Sequence, residues 1–490
     1  TIPSGGGLPI PLPRGKLGCA INALLAICFI VYLVMQSSGG LVDTGYDQPE
    51  DVFETEVPQV AEIRPTSTKA PPRSTNTPRP TSAPGAVGNA DQTWTIMLYQ
   101  DADDKILEQD IYVDLNEAER VGSTDQVQIV AQVDRFRGAY SGDGNWTSTK
   151  RFYITQDNDL NRLGSQEIDD LGEVNMSSGA TLAGFVEWAV ENYPADKYVL
   201  ILSDHGMGWP GGWSDPDPGG RGDPNIPLAS RLGDELYLHE IDQTLASIIQ
   251  ETGIGMFEII GMDACLMSHV EVYSALAPYA RYAVASQETE PSLGWAYAGF
   301  LSALTQDPGM SGADLARSIV ETYIQDDQRI VDDRARQEFL SQNSPRGGWF
   351  SITPEQLSQQ LEKNVTLAAV DLAVFGDLQT ALNDLSFALQ EINQKNVARA
   401  RSYAQSFTSI FGSDVPASYI DLGHFAQLLN ENAGNRNVSA AVNSLLSALQ
   451  QTVIAEKHGP NKPAATGISM YFPNSQLYRS PIPGAESYTL

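Results

Sequence analysis

The sequence contains few cysteines and few histidines. Three of its 490 residues are cysteine, and two of these, Cys19 and Cys28, lie in an apolar run near the N-terminus, far from Cys265. A disulfide framework is therefore excluded, and stability must come from packing. No pair among the three cysteines and five histidines has the spacing of zinc ligands, which argues against a zinc site.

Positive charge is also scarce. Lys and Arg number 30 against 61 Asp and Glu, and the formal net charge is −31. Such a chain repels nucleic acid and anionic lipid, so we expect no nucleic-acid partner. The acidic surface keeps the protein soluble, and it can also attract cationic peptides or Ca²⁺.

One long apolar run stands near the N-terminus. Residues 17–35, LGCAINALLAICFIVYLVM, are uncharged and long enough to span a bilayer as a helix. Arg14 and Lys16 precede the run, and basic residues are missing after it as far as Arg64. This bias predicts a single-pass anchor in a cell membrane, with residues 1–16 cytoplasmic and the rest outside. A cleaved signal peptide is the alternative.

The segment that follows the run has the composition of a linker. Residues 36–92 are polar, and within them 64–88 are rich in Pro, Thr and Ser. Such a segment is extended and cannot bury a core. We expect a disordered stalk that holds the next domain away from the membrane.

From Trp94 onward, apolar strand patterns alternate with amphipathic helix patterns. Predicted strands cover 94–100, 127–133, 197–204, 257–263 and 281–287, and predicted helices cover 106–121 and 182–193. Several strands are apolar almost throughout, as parallel strands covered on both faces are. The alternation predicts a three-layer α/β/α sandwich with a mainly parallel sheet over residues 93–300.

The remainder of the chain is predicted to be mainly helical. Amphipathic patterns cover 313–325, 367–392 and 438–457, so that 301–460 forms a helical region. Residues 465–473, ATGISMYFP, are predicted as a strand that returns to the sheet, within a final segment 461–490.

Two of the predicted parallel strands end in turns that contain reactive side chains. His205 follows KYVLILSD, and Cys265 follows FEIIGMDA and is predicted to open a helix. If the two strands are neighbours, His205 and Cys265 meet at the carboxyl edge of the sheet, where sites form in open α/β sheets. A helix N-terminus and a nearby imidazole both lower the pKa of a thiol. The backbone N–H groups of Gly206 and Cys265 are candidates for an oxyanion hole.

Two alternatives remain open for these residues. A single cysteine is often a small buried hydrophobe, and a histidine at a strand end is often structural. His269, four residues after Cys265, is a rival base. Side chains in a helix lean toward its N-terminus, so His269 would lie beneath the thiol rather than across a substrate.

Together, LILSDHGMG and IIGMDACLMSHVEVYSAL resemble the clostripain family of cysteine peptidases, in the clan of caspases, gingipains and legumains. Further stretches agree: WTIMLYQDADDKILEQD, VASQETEPSLGWAY, SYIDLGHFAQLL and GISMYFP. The resemblance spans about residues 93–475 and implies a caspase-like fold and endopeptidase activity.

The resemblance also implies roles for single residues. His205 matches the catalytic histidine of the family and Cys265 its nucleophile, in a Cys-His dyad. Asp263 matches a residue that shapes the pocket for the side chain before the scissile bond, which in the family is Arg or, less often, Lys. A cap of the following helix is the alternative role for Asp263. Glu288 and Glu290 are candidates for the same substrate-binding cleft.

The sequence also departs from the family. Relatives often carry an acidic residue where Ala296 stands, which weakens the case for strict Arg specificity. Asp204 is a candidate to orient His205, although a turn-forming role is favoured. Family members often cleave themselves between His and Cys, and here Arg221 and Arg231 are the candidate sites, in a Gly/Pro/Asp-rich loop.

We therefore expect a membrane-anchored, outward-facing cysteine endopeptidase with a peptide or protein substrate. We expect no required cofactor and no metal at the catalytic site. The acid-rich segment 101–110 is a candidate for Ca²⁺, although it lacks the EF-hand spacing and its glycine. The alternatives are a catalytically silent surface binding module and a transpeptidase. The sequence does not indicate an oligomeric state.

Overall fold

The computed structural model describes residues 91–480 and 482, except 160, 218, 219, 221, 223, 224, 344–351, 413, 414, 416 and 433. The predicted cytoplasmic segment 1–16, the anchor 17–35 and nearly all of the stalk 36–92 lie outside the described residues, as does Arg221. Within the described residues, no helix has both the length and the apolar character that a membrane span requires.

The described strands and helices are as follows. The strands are β1 (Trp94–Ala102), β2 (Val127–Arg135), β3 (Thr149–Tyr153), β4 (Gln166–Gly172), β5 (Lys197–Ser203), β6 (Gly211–Gly212), β7 (Leu236–Tyr237), β8 (Phe257–Asp263), β9 (Ala280–Ala285), β10 (Thr366–Asp371), β11 (Tyr419–Asp421), β12 (Val453–His458) and β13 (Ser469–Tyr471). The helices are α1 (Glu108–Glu119), α2 (Gly179–Asn192), α3 (Ala229–Leu232), α4 (Leu238–Thr252), α5 (Val270–Leu276), α6 (Tyr297–Gln306), α7 (Gly312–Thr322), α8 (Gln328–Val331), α9 (Asp333–Asn343), α10 (Pro354–Leu361), α11 (Phe375–Leu389), α12 (Gln394–Tyr403), α13 (Leu422–Asn432), α14 (Arg436–Thr452) and α15 (Ser475–Tyr478).

The central sheet has the strand order β12-β10-β9-β8-β5-β1-β2-β3-β4. The five middle strands, from β9 to β2, are parallel to one another, and the two outer strands on each side pair antiparallel. The predicted mainly parallel sheet is therefore confirmed. The sheet is extended at both edges by antiparallel strands that the sequence analysis did not predict.

Helices cover both faces of the sheet. Successive residues of a strand point to opposite faces, and in β1 Ile96 and Leu98 enter one core while Met97 and Tyr99 enter the other. The first core contains side chains of α1, α6 and α7, and the second those of α2, α4 and α11. Strands that are buried on both faces need apolar side chains at nearly every position, which explains their continuous apolar sequences.

Three predictions for the C-terminal half were wrong. The pattern over 367–392 is not one helix but β10 followed by α11, and the end of 438–457 is β12. Both strands join the central sheet, so the region 301–460 is not helical alone. The strand within 465–473 does not return to that sheet, since β13 pairs with β11 in a separate small sheet. A short apolar run can form either a strand or a buried helix, and periodicity does not distinguish them.

Candidate active site

The ends of β5 and β8 bring the two predicted reactive residues to one edge of the sheet. The strands are adjacent and parallel, and Ser203 pairs with Asp263 at their last residues. His205 and Cys265 each follow two residues later. The two turns touch, because a Cβ on Gly206 would lie 2.2 Å from the carbonyl oxygen of Cys265. Only glycine permits this approach.

Cys265 does not open a helix, contrary to the prediction. Helix α5 begins at Val270, and His269 is its N-cap residue. The intervening chain runs as a turn in which Leu266 has a φ of +67° and donates its N–H to the carbonyl of Glu288 at 3.1 Å. The positive end of a helix is therefore not the group that acts on the thiol, and the capping role considered for Asp263 is excluded as well.

The half-buried thiol of Cys265 lies among acidic groups. Its Sγ accepts a hydrogen bond from the backbone N–H of Glu290 at 3.3 Å. Burial raises the pKa of the Cys265 thiol to about 12, and the charges of Glu290, Glu288 and Asp263 act in the same direction, against the N–H of Glu290. The resting thiol is thus protonated at neutral pH. Its activation requires a base, or neutralisation of the surrounding carboxylates.

His205 lies beside a carboxylate that the sequence pattern did not single out. Its Nε2 lies 3.4 Å from Oδ1 of Asp104, and its side chain is 23% exposed and so within reach of a substrate. Burial lowers the pKa of His205, but Asp104, Asp204 and Glu235 outweigh it and raise this pKa to about 9.

Asp204, the carboxylate that the sequence suggested for this role, shapes the turn instead. Its Oδ2 accepts the backbone N–H of Ser214 at 2.8 Å. The observed contact of Asp204 is therefore the one expected of a turn-forming residue. The only sequence signal for Asp104 was the run of acids that follows β1, and a run of this kind does not indicate which acid faces a neighbouring loop.

Backbone N–H groups are available beside the thiol. The loop after His205 folds back on itself, because Trp213 donates to the carbonyl of His205 and Met207 donates to that of Gly211. Gly206 lies between these two bonds. Among the described residues, the N–H groups of Gly206 and Cys265 donate to no protein acceptor. They are free to donate to an oxyanion.

Asp263 lies in a buried polar network under the thiol. Its Oδ2 accepts hydrogen bonds from the hydroxyl of Tyr297 at 2.8 Å, the N–H of Trp295 at 3.3 Å and the hydroxyl of Ser203 at 3.4 Å. Burial raises the pKa of Asp263 despite these donors. The network fixes the carboxylate in place at the exit of β8.

The two predicted glutamates differ in their surroundings. The carboxylate of Glu290 is buried beside Asp263, and within the described chain neither of its oxygens makes an aligned hydrogen bond. Burial and then the charge of Asp263 raise the pKa of Glu290 well above its usual value. Glu288 forms an ion pair with Lys462 and accepts the N–H of Thr408 at 3.2 Å. Of the three acids predicted to bind substrate, Glu288 is thus the one that already has a cationic partner.

The remaining predicted residues lie away from this cluster or serve the fold. Arg231 lies in α3, and its guanidinium donates to the carbonyl of Phe411 at 3.4 Å. His269 is fully buried, with Nδ1 3.3 Å from the carboxylate of Glu271 and its ring edge-on to Tyr419. This packing agrees with the structural role considered for His269.

One group of acids in the described residues has metal-ligand spacing, namely Asp114, Glu117 and Asp327. The guanidinium of Arg329 already lies there, 2.5 Å from Asp114 and 2.7 Å from Asp327. Within the acid-rich segment 101–110, the side chains of several acids have protein partners, such as Arg135 for Glu108. Ca²⁺ binding by this segment stays a prediction.

A free thiol and an imidazole at the ends of adjacent parallel strands, flanked by free N–H groups, form the kind of site found in cysteine peptidases of α/β fold. The chain belongs to the clostripain family, whose sequence profile matches residues 98–478. It is 32% identical to clostripain of Hathewaya histolytica over 209 residues, which are 38% of this chain and 36% of that protein. The chain thus matches only about a third of the length of this relative.

Two solved structures have a similar fold. A secreted C11 cysteine protease from Bacteroides thetaiotaomicron, in complex with an irreversible peptide inhibitor, is 20% identical, with a TM-score of 0.52 over 80% of this chain and 95% of its own. An inactive zymogen C11 protease from Parabacteroides distasonis is 14% identical, with a TM-score of 0.52 over 78% of this chain and 93% of its own. At these identities the similarity concerns the fold.

Proposed function

We propose that this protein is a cysteine endopeptidase that cleaves peptide bonds after Arg or Lys, with Cys265 as nucleophile and His205 as general base and acid. The observation that carries the proposal is the pairing of Ser203 with Asp263, which brings both residues to one edge of the sheet. Membership of the clostripain family supports it.

The residues suit each step of acyl transfer. The neutral form of His205, which a pKa of about 9 makes the minor form at neutral pH, takes the proton of the thiol as Sγ attacks the scissile carbonyl carbon. The N–H groups of Gly206 and Cys265 donate to the resulting oxyanion. Collapse breaks the C–N bond, and the imidazolium gives its proton to the leaving amine. Water then attacks the thioester with His205 as base, which releases the acid and restores the thiol.

Specificity for a cationic side chain follows from the two carboxylates beside the nucleophile. Asp263 and Glu290 are both buried or half-buried, adjacent to each other and close to Sγ. A guanidinium or ammonium placed there gains charge-assisted hydrogen bonds, whereas a neutral side chain would leave the carboxylates unpaired. Glu290 supplies an acidic group in a pocket where Ala296 stands at a position that is often acidic in relatives.

The test is a positional-scanning peptide assay on the full chain, beside Cys265→Ala, with and without a chelator. Cleavage after Arg and Lys by the wild type alone is the expected result. If the wild type cleaves no peptide and an Arg-directed acyloxymethyl ketone does not label Cys265, the protein is a catalytically silent binding module instead. Ligation products with an added amine would indicate a transpeptidase. Loss of activity with chelator would indicate Ca²⁺ dependence.

We further propose self-activation by cleavage between His205 and Cys265, at Arg221 or Arg231. A zymogen form of the similar Parabacteroides distasonis protease supports a processing step. Mass spectrometry of the purified wild type should find a nick that Cys265→Ala lacks. Arg221→Gln and Arg231→Gln, made separately, assign the position. An intact active wild type contradicts the proposal.

Membrane anchoring by residues 17–35, with the catalytic domain outside the cell, is a separate proposal. It rests on the length of the apolar run and on the basic residues before it. The full chain should partition with membranes and remain accessible to external protease. N-terminal sequencing that finds residues 17–35 removed would establish the signal peptide instead.

A further inference from the structure

We propose that Asp104 is the positioning residue for His205, whose carboxylate holds the imidazole by Nε2 and leaves Nδ1 as the nitrogen that exchanges protons with Cys265 and the substrate. This inference rests on the proposed function and adds a third residue to the Cys-His dyad. It assigns a role to the acid-rich turn that follows β1.

The turn after β1 fixes the Asp104 carboxylate before any substrate arrives. Its Oδ1 accepts the backbone N–H groups of Ile106 at 2.7 Å and Leu107 at 2.9 Å, just ahead of α1. β1 is the neighbour of β5, with Gln100 paired to Ser203, so the exits of the two strands lie side by side. The same Oδ1 lies 3.4 Å from Nε2 of His205, within ion-pair distance but without the alignment of a hydrogen bond. The ring therefore contacts a preset acceptor rather than a mobile side chain.

Three carboxylates face His205, and Asp104 differs from the other two. Burial raises the pKa of Asp204 to about 7 and that of Glu235 to about 8. Burial also acts to raise the pKa of Asp104, but its contact with His205 and the N–H donors of Ile106 and Leu107 outweigh it and lower this pKa. Asp104 is thus the ionised partner at neutral pH.

An ionised carboxylate at Nε2 has two chemical effects. It keeps the proton of the neutral ring on Nε2, so that Nδ1 has a free lone pair and acts as the base. It also stabilises the imidazolium that forms when the proton of the thiol moves to Nδ1. No proton passes to Asp104 in either state. The second effect matters here because the surrounding acids make the thiol a poor proton donor.

The variant Asp104→Asn tests this role without removing the turn. Its amide oxygen can still accept the N–H groups of Ile106 and Leu107, so the fold should persist, which thermal unfolding checks. We expect kcat to fall about 10- to 100-fold, a part of the 10²–10⁴ that a general base supplies. The acidic limb of the pH profile should move to lower pH, because the imidazolium loses its counter-charge. Asp104→Glu should restore the position of this limb.

A readout that does not need turnover separates this inference from the proposed function. In the Cys265→Ala background, NMR of isotope-labelled histidine follows the titration of His205, which His205→Gln assigns among the five histidines. Asp104→Asn should lower the pKa of His205 by about one unit or more, whereas Asp217→Asn, which removes a half-exposed charge nearby, should leave it unchanged.

Each other result overturns the inference. If Asp104→Asn changes neither the titration nor the pH profile, Asp104 only forms the turn. If Asp204→Asn produces the shift in its place, Asp204 is the positioning residue. If wild type and Asp104→Asn are both inactive while the titration still shifts, the proposed peptidase function fails, and Asp104 keeps only its contact with the ring.

Discussion

The backbone N–H of Glu290 lies 3.3 Å from Sγ of Cys265, while the side chain of the same residue lies beside Asp263. One residue therefore contacts the nucleophile through its main chain and lines the proposed pocket through its carboxylate. The charge that would attract a cationic side chain is also a charge that keeps the thiol protonated. Binding of a cation and activation of the thiol are expected to be coupled.

Glu290→Gln should weaken the preference for cationic substrates. Removal of one of two adjacent carboxylates lowers the electrostatic attraction for an Arg or Lys side chain of the substrate. The binding of a substrate with a neutral side chain at this position should not change. We expect kcat/KM for an Arg peptide to fall roughly tenfold or more relative to the matched citrulline peptide. Glu288→Gln is the control, because Glu288 is already paired with Lys462 and should not change this ratio. An equal ratio in wild type and Glu290→Gln would remove Glu290 from the pocket.

A small alkylguanidinium should accelerate alkylation of Cys265 by iodoacetamide at neutral pH. Its charge would offset those of Asp263 and Glu290, which raise the pKa of the thiol, and would increase the thiolate fraction. The matched alkylurea has the same shape without charge and should have no effect. The double variant Asp263→Asn/Glu290→Gln should lose the response. A slower reaction with the guanidinium than with the urea would contradict the coupling.

The sequence allowed the meeting of His205 and Cys265 to be predicted because it depends on a local pattern repeated twice. Each residue follows an apolar strand by the same number of positions, and parallel neighbours end at the same edge. Asp104 was not predictable in this way. Its contact with His205 joins segments that are far apart in sequence, and three acids at the exit of β1 are equal candidates until the loop geometry is known.

The fold, like the site, could be predicted only where it depends on a local sequence pattern. The five middle strands have continuous apolar sequences, and the prediction of a parallel sheet was confirmed. β4 is almost entirely exposed and three of its seven residues are acidic, so the hydrophobic pattern carries no signal for it. Its pairing with β3 places it in the sheet. The start of α5 at Val270 depends on contacts of residues 266–268 with the loop at 286–288, which are likewise invisible in a local pattern.

Arg329→Met should strongly destabilise the fold. The buried guanidinium contacts Asp114 and Asp327 and donates to the carbonyl of Leu293, and its loss would leave three acids with no cation between them. Breaking a buried ion pair by removing one partner costs about 3–5 kcal/mol. Urea unfolding measures this change.

Arg317→Met is the matched control for that experiment, because Arg317 pairs with Asp314 at the surface. Its free energy of unfolding should change by about 0.5 kcal/mol or less. A loss below about 1 kcal/mol for Arg329→Met would show that the acids are neutral in the folded state and need no guanidinium.

Stability should fall as pH rises from about 5 to about 8. Burial raises the pKa of Asp134 to about 9 and that of Asp215 and Glu235 to about 8. In the unfolded chain these carboxyls titrate near pH 4. Between that pH and their pKa values in the folded protein, the folded state binds more protons than the unfolded chain. The stability that protonation provides is present in full below the pKa that these carboxyls have in the unfolded chain. It is lost as pH rises through the pKa that they have in the folded protein. His205, with its pKa raised to about 9, acts in the same direction above its unfolded pKa.

Thermal unfolding of the full chain at constant ionic strength tests the sign of this dependence. We expect the unfolding temperature at pH 8 to lie below that at pH 5. Asp134→Asn and Asp215→Asn should flatten the dependence, because an amide has no proton to lose and fills nearly the same volume. Asp384→Asn replaces an exposed acid on α11 and should leave the slope unchanged. A rise in stability from pH 5 to pH 8 would mean that these carboxylates are ionised and paired in the folded state.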